Sequence, residues 1–446
     1  MDNKNDKLVS NKSFLMIMIL SFFIQVFYYT SLNTNMKYLS YFGIILILIP
    51  PFFMSYKSSL LLFFSLVPNQ RLLVLDFSDI SLINILIFII IFKQFIIDKK
   101  TIEYLPLLLI FILYSTMLVF FGASFVKIFF AFRIVFLFLM LIKSKEEYIN
   151  NSQDFKFLIY SFALGVLIMS YLGLFFDPNF EISTSYRFSG GEYNNPNDLS
   201  VILIFILSII LVLSDSPNLK LNKIFMVFSL VSILMFGFLT QSRTFLFGLV
   251  LALILFLVII YKKIKKYMTL KNIIYILLIV ILALYIFDFQ SWSIIFQNAI
   301  NRITDPRNDD VTNGRFQLWI QYYYYFLDNK FNFLIGSTLT TSEFYAIGIT
   351  NVAHNSIIEL IVEYGVIGSI IAIFFFVNMI FSVFSNFKKF LSNKFYSLIP
   401  LMVIILLSLS RHNPLNISFF TTFFISLLAI FWVNNDFDKH SREGNI

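Results

Sequence analysis

The sequence predicts an all-α polytopic membrane protein of about 12–14 transmembrane helices with one large extracytoplasmic loop, because its apolar runs approach the ~20 residues that cross ~30 Å of hydrocarbon. Of the 446 residues, 59% are apolar and 13% are charged. The mean hydropathy of +0.84 is too high for a soluble chain, which needs a charged surface. Since apolar and polar residues do not alternate within the runs, membrane strands are not expected.

Each apolar run is a candidate membrane helix, and polar links join the runs. The runs lie near 14–30, 38–54, 58–67, 80–97, 105–121, 124–142, 156–176, 199–214, 222–239, 244–261, 272–288, 356–384, 396–410 and 416–433. The run 58–67 is the weakest candidate, because it is short for a full span and Pro68 follows it. The first run lacks the small-residue cleavage site of a signal peptide, so we expect it to be retained as a helix.

Lysine residues set the predicted orientation in the membrane. The links 261–271 and 385–395 are rich in lysine, and such links stay on the cytoplasmic side. Counting helices from these links places both termini in the cytoplasm. The two long polar segments, 177–198 and 289–355, are then predicted to lie outside.

Arginine shows the opposite distribution. Under this topology, seven of the nine arginines lie outside and one, Arg442, lies inside. A guanidinium binds phosphate oxygens through two parallel hydrogen bonds, which lysine cannot do, so the pattern indicates a phosphate-binding outer face. The alternative is that these arginines pair with loop carboxylates such as Asp305 and Asp309.

Composition excludes several other kinds of site. There is no cysteine, so the chain has no disulfide and no thiolate metal site. The three histidines, His354, His412 and His440, are too dispersed for a zinc site. The net charge of +8 is divided among many links and does not form one stripe, so nucleic acid is not expected as a partner.

A polar motif lies where the large outer segment meets the run 356–384. It reads His354-Asn355 and is followed by Gly365 and Gly368. Asn355 is a good N-cap for a helix, and the two glycines would let another helix approach closely. Taken alone, the pattern favours a capped helix with a packing face over a catalytic histidine.

The spacing of the motif resembles the bacterial superfamily of O-antigen ligases and of O-antigen, capsule and exopolysaccharide polymerases. In that superfamily a His-Asn pair also precedes two glycines, which here are Gly365 and Gly368. Three further segments resemble its outer-loop motifs: Arg187 with Asn195-Pro196-Asn197, Thr240-Gln241-Ser242-Arg243-Thr244, and Asn313-Gly314-Arg315 with Trp319. The resemblance covers roughly residues 180–375, and the N-terminal third matches only as a set of helices.

The resemblance implies where the protein acts and on what. Members of the superfamily transfer glycans from polyprenyl-diphosphate carriers at the outer side of the bacterial cytoplasmic membrane, without a metal or another cofactor. The implied division is N-terminal helices (1–176), a catalytic core (177–384) and C-terminal helices with a cytoplasmic tail (385–446). The implied partners are polyprenyl-diphosphate-linked glycans, the lipid bilayer, and the flippase and chain-length regulator of the same pathway.

The resemblance also implies a reaction. An acceptor hydroxyl attacks the anomeric carbon of the donor glycan, and the lipid diphosphate leaves. His354 is the candidate catalytic base, because an imidazole with a pKa near ~6.5 can take up a proton at neutral pH. The candidate substrate-binding residues are of two kinds. The cations that would stabilise the diphosphate are Arg187, Arg243, Arg315 and Arg411. The other candidate is Asn355, the neighbour of the histidine.

Two reactions share such a site. A repeat-unit polymerase joins one lipid-linked glycan to another, whereas a ligase moves the finished chain to lipid A-core or to a protein. The His-Asn motif favours a ligase, while a composition rich in Phe, Ile, Asn and Lys is typical of AT-rich polysaccharide gene clusters and favours a polymerase. A lipid-linked glycan flippase would show two related halves, and a purely structural protein would leave the arginine distribution unexplained.

Two charged residues within the predicted membrane helices suggest a helix contact. The run 124–142 carries Arg133 and the run 356–384 carries Glu363, at a similar counted depth. A charge near the membrane centre needs a partner or water. We therefore expect the two helices to be neighbours with Arg133 near Glu363, unless Arg133 bonds to backbone carbonyls or water instead.

Replacing His354 tests its predicted role as the base. We expect His354→Ala to abolish glycan transfer, because the acceptor hydroxyl would lose its proton acceptor, while the protein still inserts into the membrane. The length distribution of the surface glycan is the measurement, and His440→Ala in the C-terminal tail is the control. Glycan of normal length from the His354 variant would remove this residue from the mechanism.

Overall fold

The computed structural model shows helices and no strand within the residues that it describes, which confirms the predicted all-α fold. The described residues are 9–34, 36–70, 73, 81–97, 105–120, 125–176, 187–190, 196–214, 216, 219, 221–267, 297, 315–336, 355–384, 395–408 and 417–443. The predicted run 272–288 lies outside them.

The helices are numbered here in chain order. The first half contains α1 (Asn11–Thr34), α2 (Lys37–Leu48), α3 (Pro50–Phe53), α4 (Tyr56–Leu66), α5 (Leu82–Ile97), α6 (Leu105–Phe120), α7 (Phe125–Asn150) and α8 (Ser152–Phe176). The second half contains α9 (Pro196–Leu213), α10 (Lys223–Leu239), α11 (Arg243–Tyr267), α12 (Arg315–Asp328), α13 (Lys330–Ile335), α14 (Ser356–Val383), α15 (Ile399–Ser408) and α16 (Ile417–Glu443). Short 3-10 helices follow α4 and precede α15.

Five helices of the described part are long and apolar enough to cross a membrane on their own. They contain residues 11–32, 152–176, 196–213, 364–383 and 417–434, and shorter apolar helices pack beside them. Large apolar side chains face outwards from the bundle, such as Leu15 (59% exposed) and Leu113 (67% exposed). Side chains of this kind are stable there only when hydrocarbon covers them, so the chain is a multi-pass membrane protein.

Ring contacts fix the relative direction of the helices. α1 and α8 are parallel, because Phe14 stacks on Phe157 near their starts (4.5 Å between ring centroids) and Tyr29 meets Phe176 near their ends (6.5 Å). α7 and α8 run in opposite directions and are joined by the single residue Asn151. The end of the bundle at which α8 finishes and α7 starts is called the predicted outer end, since the lysine-rich links place it outside.

α14 runs parallel to α7 and packs against it. The ring of Phe138 lies 4.6 Å from that of Phe375, and Nζ of Lys145 donates to the Ser382 carbonyl at 2.7 Å. α14 therefore begins at the predicted outer end, where α7 also begins. The expectation that these two helices are neighbours is confirmed.

The register between α7 and α14 differs from the predicted one. Each residue of α7 lies beside the α14 residue 237 positions later. Extended along α7, this register places Arg133 level with Ile370. Glu363 lies before the break at Gly365 and so belongs to the other helical segment of α14. The side chains of Arg133 and Glu363 lie outside the described residues, so their pairing stays a prediction.

α4 is short, and the bundle encloses it. All of its residues from 59 to 66 are buried. Gly165 of α8 packs directly on its backbone, so closely that a Cβ at this glycine would lie 2.1 Å from the Ser65 carbonyl oxygen. The weakest apolar run in the sequence is thus one of the most enclosed helices in the described part.

A cluster of charges ties three helices together at the opposite, predicted inner, end. Nζ of Lys57 in α4 lies 2.6 Å from a carboxylate oxygen of Glu147 in α7 and 3.2 Å from one of Asp154 in α8. The Asp154 side chain is only 2% exposed, so these charges are largely withdrawn from water. Nearby, the indole N–H of Trp432 in α16 donates to the Tyr148 carbonyl at 2.9 Å.

Removing the lysine of this cluster is expected to destabilise the bundle. Lys57→Met should lower the free energy of unfolding by about 3 kcal/mol, because Glu147 and Asp154 would remain withdrawn from water without this cation. The measurement is thermal unfolding of the detergent-purified protein, and Lys57→Arg, which keeps the charge, is the control. An unchanged melting temperature for the methionine variant would mean that the cluster contributes no net stability.

Candidate functional site

The predicted site residues divide into two groups. The structure describes Arg187, Arg243 and Asn355 with their side chains. Outside the described residues lie His354, Arg411 and the side chain of Arg315, whose backbone begins α12. Whether Arg243 and Arg315 converge therefore stays a prediction.

Arg187 caps the carboxyl end of α10. Its Nε donates to the Thr240 carbonyl at 3.2 Å, and one Nη donates to Oδ1 of Asn197 at 2.7 Å. The backbone N–H of the next residue, Phe188, donates to the Leu239 carbonyl at 3.1 Å. The carboxyl end of a helix leaves carbonyls unpaired and carries partial negative charge. A guanidinium donates hydrogen bonds to such carbonyls, and its positive charge complements the partial negative charge. The segment that follows α8 is thereby fixed to the end of α10.

Three residues form a tight turn between α10 and α11. Among them, Gln241 has a φ of 46°, a left-handed conformation that residues other than glycine seldom adopt. Ser242 donates its hydroxyl to Oδ1 of Asn197 at 2.8 Å, and Ser200 donates to the Thr240 hydroxyl at 2.9 Å. These contacts from α9 hold the turn in its unfavourable conformation.

The segment 187–190 is also anchored from within the bundle. Phe188 is fully buried and stacks on Phe236, with 5.6 Å between the ring centroids. The hydroxyl of Tyr29 in α1 donates to the Gly190 carbonyl. Gly190 has a φ of 80°, which suits a residue without a Cβ. Helices from both halves of the sequence therefore position Arg187.

Arg243 is the first residue of α11, and its side chain is half-buried. The first turn of a helix presents unpaired N–H groups and partial positive charge, so an arginine there adds to a region that favours anions. Arg187, Asn197, Ser200, residues 240–242 and Arg243 are together named the arginine cluster. Its chemistry suits a phosphate or diphosphate group.

Asn355 caps α14, as its position in the sequence predicts. Its Oδ1 accepts the backbone N–H groups of Ile357 at 3.0 Å and Ile358 at 3.3 Å. Glu359 follows in the first turn, where a carboxylate complements the helix dipole, and is buried. The cap fixes the backbone immediately after His354.

α12 and α13 form a helical hairpin, named the outer hairpin, beside the first segment of α14. Leu318 and Tyr322 of α12 form a small buried core with Val362 of α14. Nδ2 of Asn332 donates to the Tyr325 hydroxyl at 2.8 Å and so links α13 to α12. The long outer segment thus contains a helix that packs beside the helix that Asn355 caps.

One face of α12 remains exposed and apolar. It consists of Phe316, Ile320, Tyr323 and Leu327. An exposed polar face adjoins it and includes Gln317, Gln321 and Asp328. Such adjoining faces are typical of helices that lie in the membrane interface.

The arginine cluster and Asn355 lie at the same end of the bundle. Arg187 follows α8, which finishes at the predicted outer end. α14 begins at that end, because it runs parallel to α7. No group of acidic, histidine or cysteine side chains with metal-binding geometry occurs among the described residues.

Sequence reasoning missed residues that shape this site. Tyr29 and Ser200 belong to no motif that it singled out, and only their tertiary contacts give them a role. A weak signal was available for Tyr29, because a tyrosine hydroxyl near the end of an apolar helix needs a hydrogen-bond partner.

The family model for O-antigen ligase matches residues 228–373. This stretch runs from α10 into α14, so it contains the turn before Arg243, the outer hairpin and Asn355. The match confirms the resemblance to the O-antigen ligase and polymerase superfamily over this part of the chain. The loop after α8 precedes the matched stretch and joins it through the arginine cluster. Searches of curated proteins and of solved structures gave no match.

The hydrogen bonds of Arg187 predict that lysine is a poor replacement. Arg187→Lys should cost about 1–3 kcal/mol of local stability, because a single ammonium cannot reach both the Thr240 carbonyl and Asn197 in the same geometry. Hydrogen exchange of the Phe188 amide should become faster. Arg442→Lys, at the other end of the bundle, is the matched control. Equal exchange rates in the wild type and in Arg187→Lys would contradict a capping role for this arginine.

Proposed function

We propose that this chain, which carries an O-antigen ligase family domain over residues 228–373, is a polysaccharide repeat-unit polymerase of the bacterial cytoplasmic membrane. It transfers a glycan from a polyprenyl-diphosphate carrier to a second lipid-linked glycan at the outer side of the membrane. Both termini lie in the cytoplasm. The flippase and the chain-length regulator of the pathway are its functional partners.

The arginine cluster is the observation that carries this proposal. Arg187 and Asn197 lie far from Thr240 and Ser242 in sequence, yet hydrogen bonds join them at one end of a membrane bundle. A diphosphate attached to a membrane lipid lies at the same depth as such a cluster, at the boundary between hydrocarbon and water. Arginine forks and a helix N-terminus are the groups that best bind a diphosphate there.

The geometry refines the roles of the arginines. Arg187 uses Nε and one Nη to hold the turn, so it positions the cluster. Arg243, at the start of α11, and Arg315 and Arg411 then stabilise the charge that develops on the leaving diphosphate. A rigid turn is suited to this task, because donors that are already oriented need no rearrangement during the reaction.

The chemical step is a glycosyl transfer. The acceptor hydroxyl gives its proton to His354 as its oxygen bonds to the anomeric carbon of the donor. The bond from that carbon to the diphosphate breaks, and the diphosphate leaves with its electron pair. Asn355 fixes the backbone next to His354 through its cap and presents its remaining amide group to the glycan. The step uses no metal.

The second candidate is an O-antigen ligase, which would transfer the finished chain to lipid A-core or to a protein. The family model that matches residues 228–373 is described as O-antigen ligase, and the His354-Asn355 pair also favours this activity. The polymerase is preferred because the Phe-, Ile-, Asn- and Lys-rich composition is typical of AT-rich polysaccharide gene clusters. Both candidates use the same donor and the same site.

Deletion of the gene separates the candidates by what accumulates on the lipid carrier. We expect single repeat units on polyprenyl diphosphate at the outer face, because a polymerase is the step that consumes them. Long chains on the carrier would indicate a ligase, and repeat units confined to the inner face would indicate a flippase. The readout is mass spectrometry of extracted lipid-linked glycans, with complementation by the wild-type gene as the control.

The purified protein provides an independent test. In proteoliposomes that contain polyprenyl-diphosphate repeat units, longer lipid-linked oligomers should form. They should also form in the presence of EDTA, because no metal takes part in the proposed step. A complete loss of product in EDTA that added divalent cation restores would contradict the metal-independent mechanism.

A further inference from the structure

α14 consists of two helical segments, because its backbone breaks at Gly365. This glycine has φ 65° and ψ −177°, a conformation that L side chains rarely adopt. A Cβ here would lie 2.3 Å from the backbone nitrogen of Gly336 and 2.4 Å from the carbonyl oxygen of Leu334. The backbone at the end of α13 therefore packs directly against the break in α14, and no space is left for a side chain at Gly365.

The break leaves backbone carbonyls that need hydrogen-bond donors. The Ile335 carbonyl is at the end of α13, and the Tyr364 carbonyl immediately precedes the break. Helix ends leave carbonyls unpaired, and Ile335 and Tyr364 are both buried, so bulk water does not pair these two. A carbonyl buried there without a donor is costly.

The hydroxyl of Tyr114 in α6 serves both carbonyls. It lies 2.8 Å from the Ile335 carbonyl oxygen and also hydrogen-bonds to the Tyr364 carbonyl, so its single proton is shared between them. Tyr114 is only 6% exposed. Gly368 makes this position possible, because a Cβ there would lie 2.6 Å from the Tyr114 hydroxyl oxygen.

These contacts give the two glycines of the sequence motif separate physical reasons. Gly365 allows the break and the approach of α13, whereas Gly368 admits the ring of Tyr114. The hydroxyl of Ser369 donates to the Gly365 carbonyl at 2.6 Å and further fixes the broken backbone. The three elements α6, α13 and α14 therefore meet at one tyrosine hydroxyl.

We propose that Tyr114 is a positioning residue for the glycosyl transfer. It holds the outer hairpin and the segment 356–364, which begins at the Asn355 cap, in one fixed placement above the membrane bundle. This inference rests on the proposed function, because that function places the reaction beside Asn355. The residue acts through the backbone of α14 and does not contact the substrate.

The test removes only the hydroxyl. Tyr114→Phe in the purified full-length protein should reduce kcat by roughly tenfold, the effect expected when one buried hydrogen bond is lost, with KM for the polyprenyl-diphosphate repeat unit unchanged. The value of KM should stay unchanged, because the arginine cluster that binds the donor does not contain Tyr114. Tyr160→Phe is the matched control, since the Tyr160 hydroxyl also hydrogen-bonds to backbone, at 2.8 Å from the nitrogen of Asn222.

A distance measurement tests the placement without any turnover. Because the chain has no cysteine, spin labels can be attached at Asp328→Cys on the outer hairpin and Phe175→Cys at the end of α8. The distance distribution from electron double resonance should broaden with Tyr114→Phe and stay narrow with Tyr160→Phe. A narrow distribution together with full turnover in Tyr114→Phe would overturn the proposal.

The two measurements separate the possible failures. If the wild type forms no glycan product, the proposed function fails. The distance measurement then still shows whether Tyr114 holds the outer hairpin in one position. If Tyr114→Phe does not fold, Gly368→Ala provides a second test, because its Cβ would meet the Tyr114 ring as well as the Cβ of Tyr364, while the hydroxyl remains. A narrow distance distribution with full turnover in Gly368→Ala would equally overturn the proposal.

Discussion

Helix ends that are buried from water need hydrogen-bond donors from inside the protein. Side chains from neighbouring helices supply them here. Tyr114 serves the carbonyls of Ile335 and Tyr364, and Lys145 donates to the last turn of α14 at Ser382. Each such contact satisfies a carbonyl and also joins two helices. Much of the bundle's register follows from this one requirement.

The two ends of the bundle meet the requirement in different ways. At the predicted inner end, lysines make the contacts. Nζ of Lys93 donates to the Pro51 carbonyl at 2.8 Å, and Nζ of Lys57 pairs with two carboxylates from neighbouring helices. At the predicted outer end, Arg187 caps α10 and leaves Arg243 at the start of the next helix. Lysine serves structure with a point charge, whereas arginine combines a cap with a fork that suits diphosphate. Under the proposed function, the unequal use of the two residues reflects two different tasks.

The outer hairpin connects to the bundle differently from the membrane helices. Its own core is small, and its carboxyl end rests on the break in α14. The proposed reaction, which joins two lipid-linked substrates, requires an element that lies over the membrane and yet holds its position. The close packing of Gly336 on Gly365 and the shared hydroxyl of Tyr114 provide that position without a large apolar interface.

The sequence by itself determined the membrane class, the helical content and the order of the motifs, because these depend on hydrophobic periodicity and composition along the chain. It also predicted the Asn355 cap, since capping involves only neighbouring residues. Contacts between distant residues were decided by tertiary structure alone. Arg187 faces Thr240, and Tyr114 reaches Ile335, only because helix packing brings these backbones together. The break in α14 was decided in the same way: a glycine permits a helix to break, but packing decides whether it does.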